Sequence, residues 1–176
     1  APIPGGPPSG GKYSLHTEEG TFYMPVVWTD GSFLSGVLMH EIGHTFGLGH
    51  ANTVECDDSA LKENLDACVV YDYGNPYDVM GINIYEVGPG HFSGLHKYLA
   101  GKWIDAQEVK QGGSYILNAL ELPFDGPQLL RIPVRNNALF IEYRKPVGID
   151  RFHSEAANSS RGGFGGIPEA GGLLIN

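Results

Sequence analysis

His40, Glu41, His44, Gly47 and His50 fall in one eleven-residue run, HEIGHTFGLGH. His40 and His44 are four residues apart, so on a helix they project from one face, one turn apart, and both can bind a single ion. His50 lies six residues beyond His44 and leaves that face if the helix continues. A glycine at position 47 takes the left-handed conformation that ends the helix and swings His50 back. Three imidazoles supply the nitrogen ligands of a zinc site. They leave the fourth position of a tetrahedral ion to water, the arrangement of a catalytic rather than a structural site. The plainer reading is three histidines punctuating a buried helix, and a bare H-E-x-x-H does arise by chance. The added Gly and third His make coincidence hard to sustain, since Gly is only about 7% of average composition and His is rarer.

The chemistry this implies is hydrolysis. Zinc lowers the pKa of a bound water from about 15.7 to about 7, so a nucleophile is available at neutral pH. Glu41, beside the first ligand, is placed to accept that water's proton and pass it to a leaving amine. Zinc would polarise the scissile carbonyl and hold the developing oxyanion. Asp72 and Asp78 are candidates to orient the ligand imidazoles from behind, with a solvated loop as the default for both. His91 and His96 lie outside any ligand spacing and read as non-ligands, and His16 and His153 as surface residues. Glu55 with the Asp57-Asp58 pair offers carboxylates to Ca²⁺, although no EF-hand loop is present and such a cluster is usually just exposed.

These residues need elements to position them. The active-site helix is expected from a Ser32 cap to about Phe46, with Leu34, Val37, Leu38, Ile42 and Phe46 as its buried stripe. Before it, Phe22 to Trp28 reads as a strand whose Pro25 points to an edge or a bulge. Residues 1–12, APIPGGPPSGGK, are Pro/Gly-rich and read as an irregular linker or loop. Residues 51 to 90 read mostly as loop, with a short helical turn near 60–65. Ser93 can cap a second helix whose Leu95, Tyr98, Leu99 and Trp103 share one face. Beyond Trp103 the pattern turns to strands, at Ser114–Leu122, Gln128–Val134, Ala138–Arg144 and Gly172–Ile175, separated by Gly, Pro and Asn turns. Gly162 to Gly166 reads as a flexible loop, too loosely spaced in glycine for phosphate binding. The expected class is α+β, with a helix-bearing catalytic region over 1–106 and a small β-rich region over 107–176.

A chain of 176 residues supports one sizeable core, or one domain with a small appendage. Its formal net charge of −9 argues against a nucleic-acid partner. No apolar run approaches the length of a membrane span, and the first residues carry neither the basic start nor the apolar stretch of a secretory signal. The two cysteines, Cys56 and Cys68, flank a short acidic loop. Their spacing suits a disulfide, the alternative being two free thiols in a cytosolic protein.

The extended zinc motif, with Tyr77-Asp78-Val79-Met80-Gly81 thirty residues after His50, resembles the metzincin metallopeptidases, whose methionine turn lies under the metal. By that likeness Met80 is the soft floor of the site. Within the clan, YGNPYDVMG (73–81), HFSGLHKYLAGKW (91–103) and LFIEYRKPVGIDR (139–151) are similar to the gametolysin-like peptidases. The last of these, with GGLLI (171–175), is also similar to immune-inhibitor-A-like bacterial peptidases. The resemblance implies a secreted, extracellular zinc endopeptidase acting on protein or peptide substrates, including cell-wall or matrix glycoproteins. It also implies a zincin catalytic domain with an active-site helix, a Met-turn and a C-terminal helix.

Departures from the family accompany the likeness. Some metzincins place a catalytic tyrosine two residues after the methionine; Ile82 stands there, leaving that role empty or to Tyr73, Tyr77 or Tyr85. Metzincins also carry more chain before the zinc helix than the 39 residues here, which have room for about two strands. Two strands cannot comfortably bury the five-residue apolar stripe of that helix. Further strands are therefore expected from a separate segment, a partner chain or the missing N-terminal part of the same peptidase. The competing function is a zinc-containing binding or structural module without activity. Glu41 argues against it, because metal binding alone has no need of that carboxylate.

Overall fold

The computed structural model describes residues 9–29, 31, 33–56, 68–81, 91–123, 125–134, 137–145, 147–151 and 173–175. Ser32, the Asp57-Asp58 pair, the helical turn expected at 60–65, Tyr85, His153 and the 162–166 glycines lie outside them. The architecture is mixed α+β, built from short helices and small sheets. The chain divides into two compact units, Ala1–Glu86 and Val87–Asn176.

In the first unit β1 (Ser9–Thr17) and β2 (Gly20–Trp28) form an antiparallel ribbon, registered from Ser9 opposite Trp28 to Thr17 opposite Gly20. Residues 9–12 are therefore strand, not the linker expected from their Pro/Gly content. Pro25, paired with Lys12, is tolerated because both strands of a two-stranded ribbon are edges. Gly10 serves a close approach: a Cβ there would come within 1.9 Å of the Glu41 carbonyl oxygen in the following helix.

That helix, α1, spans Ser35–Thr45. Its N-cap is Leu34, which offers no side-chain cap. At its other end Gly47 adopts φ +85° and donates to the His44 carbonyl at 2.9 Å, while the Leu48 N–H reaches the Gly43 carbonyl at 3.2 Å. These paired bonds past a left-handed glycine satisfy the last carbonyls and stop the helix. The buried residues of α1 are Gly36, Val37, His40, Glu41 and Gly43. The apolar stripe expected to be inside is mostly not, with Leu34, Ile42 and Phe46 exposed and only Val37 buried. α1 packs on the ribbon, with the Glu41 backbone against Gly10.

Part of the segment expected as loop is a second ribbon. β3 (Thr53–Cys56) pairs antiparallel with β4 (Cys68–Tyr71), and a Cys56–Cys68 disulfide joins its last pair. The turn at 78–81 is tied back to the residue after His50, because the Ala51 N–H donates to the Met80 carbonyl at 2.8 Å and the Asn75 N–H to the Ala51 carbonyl at 2.9 Å. Val79, Met80 and Asp78 are fully buried there.

In the second unit Ser93 caps α2 (Gly94–Leu99), its Oγ accepting from the His96 N–H. The face expected to be apolar is again not the inner one: Leu99 and Trp103 are exposed, and Gly94, His96 and Lys97 are buried. A four-stranded sheet follows in the order β5 (Gln107–Glu108), β6 (Leu129–Val134), β7 (Asn137–Tyr143), β8 (Leu173–Ile175), antiparallel except for β5 with β6. The strand expected over 114–122 is absent. Ala119 makes one isolated bridge to Tyr143, and Gln128 holds the segment as an irregular loop, its amide donating to the carbonyls of Ala119, Leu120 and Leu122. Contact places the division between units near residue 86 rather than 106, because α2 packs on β7.

What α2 buries is charge. Arg144 donates through Nε to Glu142 at 2.7 Å, through Nη1 to Asp150 at 2.8 Å and through Nη2 to the Phe92 carbonyl at 3.2 Å. Glu142 also accepts from the Gly94 N–H and Asp150 from the His91 N–H. Lys97 completes the cluster, lowered to about 8 chiefly by burial and then by the neighbouring Arg144. Glu121 lies beside it, with Oε1 4.0 Å from Arg144 Nε. Burial, and then the Asp150 carboxyl, push Glu121 up to about 7.

Candidate metal centre

α1 sets His40 and His44 one turn apart, with ring centroids 4.8 Å from each other, and the turn at Gly47 returns His50 to 5.4 Å from His40 and 5.1 Å from His44. The three side chains offer nitrogens that all lie within 4.8 Å of one another. Among the described residues this is the one group of three or more such side chains placed to hold a metal. Bonds of about 2.0–2.1 Å to a zinc ion would draw the nitrogens inward from that spacing.

Whether the residues fit such an ion is decided by the other ring nitrogen. His40 Nδ1 lies 2.9 Å from the Val79 carbonyl and His44 Nδ1 lies 2.8 Å from the Leu48 carbonyl. His50 Nδ1 faces the Asp72 carboxylate, at 3.1 Å from Oδ1 and 3.4 Å from Oδ2. Each partner is an acceptor, so each Nδ1 carries the proton and donates. That tautomer leaves all three Nε2 lone pairs for a metal. Three imidazole nitrogens are a donor set able to hold a metal ion.

Glu41 is buried and lines the same pocket, of about 490 Å³, with Gly10, His40, His44, Gly47, Leu48, Gly49 and Tyr73. Burial raises its carboxyl above the ordinary range, opposed by the charges of His44 and His50 and by the Gly10 backbone N–H. Burial likewise lowers His40, against the pull of its bond to the Val79 carbonyl. Of the two carboxylates named as orienting candidates, Asp72 faces a ligand, and Asp78 caps its own turn by accepting the Met80 N–H at 2.8 Å. Met80 is fully buried in the turn whose Val79 carbonyl holds His40.

Tyr73 stacks on His50 at 3.7 Å. Tyr77 is half-buried, and burial raises its phenol. His91 and His96 belong to the second unit, where the His91 N–H serves Asp150. Glu55 is exposed in β3. Neither Gly10 over Glu41 nor the Val79 and Leu48 carbonyls are legible in residue types, since backbone groups carry no residue signature. No protein-family model, characterised protein or solved structure matches this chain.

Proposed function

We propose that this protein is a secreted zinc-dependent endopeptidase of the metzincin type, similar to the gametolysin-like enzymes, that hydrolyses peptide bonds of protein substrates. One observation carries the reading: three imidazoles with their Nδ1 protons committed converge on one another, and two of them line an open pocket with a buried glutamate. His40, His44 and His50 would hold the ion, and zinc when bound supplies a Lewis acid that acidifies water. Glu41 accepts a proton in the pocket and returns it to the leaving amine, a role favoured by a carboxyl whose proton affinity burial has raised. The Gly10 N–H keeps that carboxyl oriented.

The disulfide supports an oxidising, extracellular setting, where matrix or cell-wall glycoproteins are the substrates in reach. Within this reading, the exposed Leu34, Ile42 and Phe46 are the face on which further sheet strands of the same peptidase pack.

The test is reconstitution with one equivalent of zinc followed by cleavage of an unfolded protein and a peptide library. Cleavage that chelation abolishes and added zinc restores is the expected result. A folded chain that takes up no zinc overturns the reading. A zinc-loaded chain that cuts nothing makes it a binding module instead.

A further inference from the structure

His50 is the ligand that α1 does not hold. It stands three residues past the helix-ending glycine, on a strand-less stretch, and needs an external seat if it is to meet an ion in one place. Two consecutive residues 22 and 23 positions further on supply contacts to it. Asp72 receives its Nδ1–H, and the Tyr73 ring lies against its face at 3.7 Å with 28° between planes. The same phenol ring is nearly parallel to His40, at 5.7 Å and 19°. One aromatic ring therefore stacks on two of the three ligands.

The backbone beneath that ring is specialised. Tyr73 adopts φ +59°, a left-handed conformation uncommon for an aromatic residue and one that marks a site the surroundings enforce. Its N–H donates to the side-chain oxygens of Asn52 at 3.1 Å and of Asp72 at 3.2 Å. Asn52 is only two residues beyond His50. The ligand loop thus grips the turn, and the turn presents ring and carboxylate back to the ligand.

We propose that Asp72 and Tyr73 are positioning residues for the third metal ligand, forming a seat that fixes the His50 ring before an ion arrives. This rests on the zinc reading above. The carboxylate fixes the tautomer and direction of the ring, and the phenol ring fixes its plane. Such outer partners typically govern 10–100-fold in metal affinity. Asp72 is 63% exposed, which puts its share at the lower end, and stacking puts the larger share on Tyr73.

The experiment uses the full chain and reads metal binding, without peptidase activity. Zn²⁺ affinity is measured by competition with a chromophoric chelator, and ligand geometry by the visible absorption of the Co²⁺-loaded protein. Tyr73→Ala and Asp72→Ala should each weaken Zn²⁺ binding, by about 10–100-fold and about 10-fold, and alter the Co²⁺ spectrum. Tyr73→Phe keeps the ring and should bind as the unaltered chain does. Asp72→Asn keeps an acceptor oxygen and should fall between. Unchanged affinity and spectrum in both alanine variants, or a Phe variant as impaired as the Ala variant, overturns the seat. A folded, unaltered chain that binds neither ion removes the zinc reading itself, and the seat with it.

Discussion

The histidine trio of the first unit and the Arg144 cluster of the second are both gatherings of polar side chains on α-helix and loop, yet they spend their hydrogen bonds in opposite ways. Around Arg144, donors and acceptors are turned on one another: the guanidinium reaches two carboxylates and a carbonyl, and those carboxylates collect further backbone N–H groups. Around His40, His44 and His50 the bonds run from the rear nitrogens, and His40 and His44 line an open pocket. A guanidinium whose three nitrogens all end on acceptors builds architecture. A set satisfied on one side suits the proposed role of receiving an ion. Local side-chain types do not separate the two cases; the direction of the bonds does.

The sharpest test of this contrast is Glu41→Gln, which should lower peptidase turnover by about 10²–10⁴-fold while leaving zinc content unchanged. Steady-state kinetics beside metal analysis check it, and full turnover in the zinc-loaded variant would refute the assigned role. Arg144→Ala should do the reverse. It strands buried carboxylates and should destabilise the second unit by about 3–5 kcal/mol in urea melts, with the affinity of the histidine trio for zinc unchanged. Were Arg144→Ala neutral to folding, the cluster would not be architecture.

The Cys56–Cys68 bridge, which closes a loop between His50 and the Met80 turn, is a covalent constraint in the first unit. Replacing both cysteines by serine should destabilise the first unit by about 3 kcal/mol, read from denaturant midpoints. A further effect is a pH dependence in the second unit. Glu121 holds its proton to about 7 when folded, against an ordinary 4.5, so the folded state binds more protons than the unfolded one across that window. The penalty of ionising it therefore grows as pH rises from 4.5 to 7 and then levels. Lys97, lowered to about 8, acts oppositely and only at higher pH. Glu121→Gln should accordingly gain stability over the unaltered chain through the window from 4.5 to 7, with a slope of up to about 1.4 kcal/mol per pH unit. Parallel melting curves for the two proteins would remove the assignment.

The spacing of His40, Glu41, His44, Gly47 and His50 could be read in the chain because a helix turn and one left-handed glycine are local matters, settled within eleven residues. Ser93 as a cap and the β6 and β7 segments were legible for the same reason. The buried faces of α1 and α2 were not. Apolar periodicity finds the inside of a helix only when the inside is apolar, and here α1 turns His40 and Glu41 inward and α2 turns Lys97 inward. Residues 114–122 carry strand-like alternation, but a strand also needs a partner's backbone, and Gln128 takes those carbonyls instead. β1 was hidden by Gly10 and Gly11, and Gly10 proves useful only once Glu41 lies beneath it. The members of the Arg144 cluster span positions 97 to 150 and look singly like ordinary solvated charges. Only the tertiary fold assembles them.

The two hydrogen bonds at Ala51 give the first unit a clock. Its N–H is covered only when the turn at Met80 has docked, and the Asn75 N–H only when the same docking has brought it to the Ala51 carbonyl. Both amides sit at the junction of segments that close a loop of about 30 residues, a closure whose entropic cost grows slowly with length. Deuterium uptake at these two positions therefore times how often the scaffold opens, separately from whether an ion is bound. If they exchange together and more slowly than the exposed ribbon at Tyr23, the pocket is a standing feature of the polypeptide that a cation enters, rather than a shape that the cation folds.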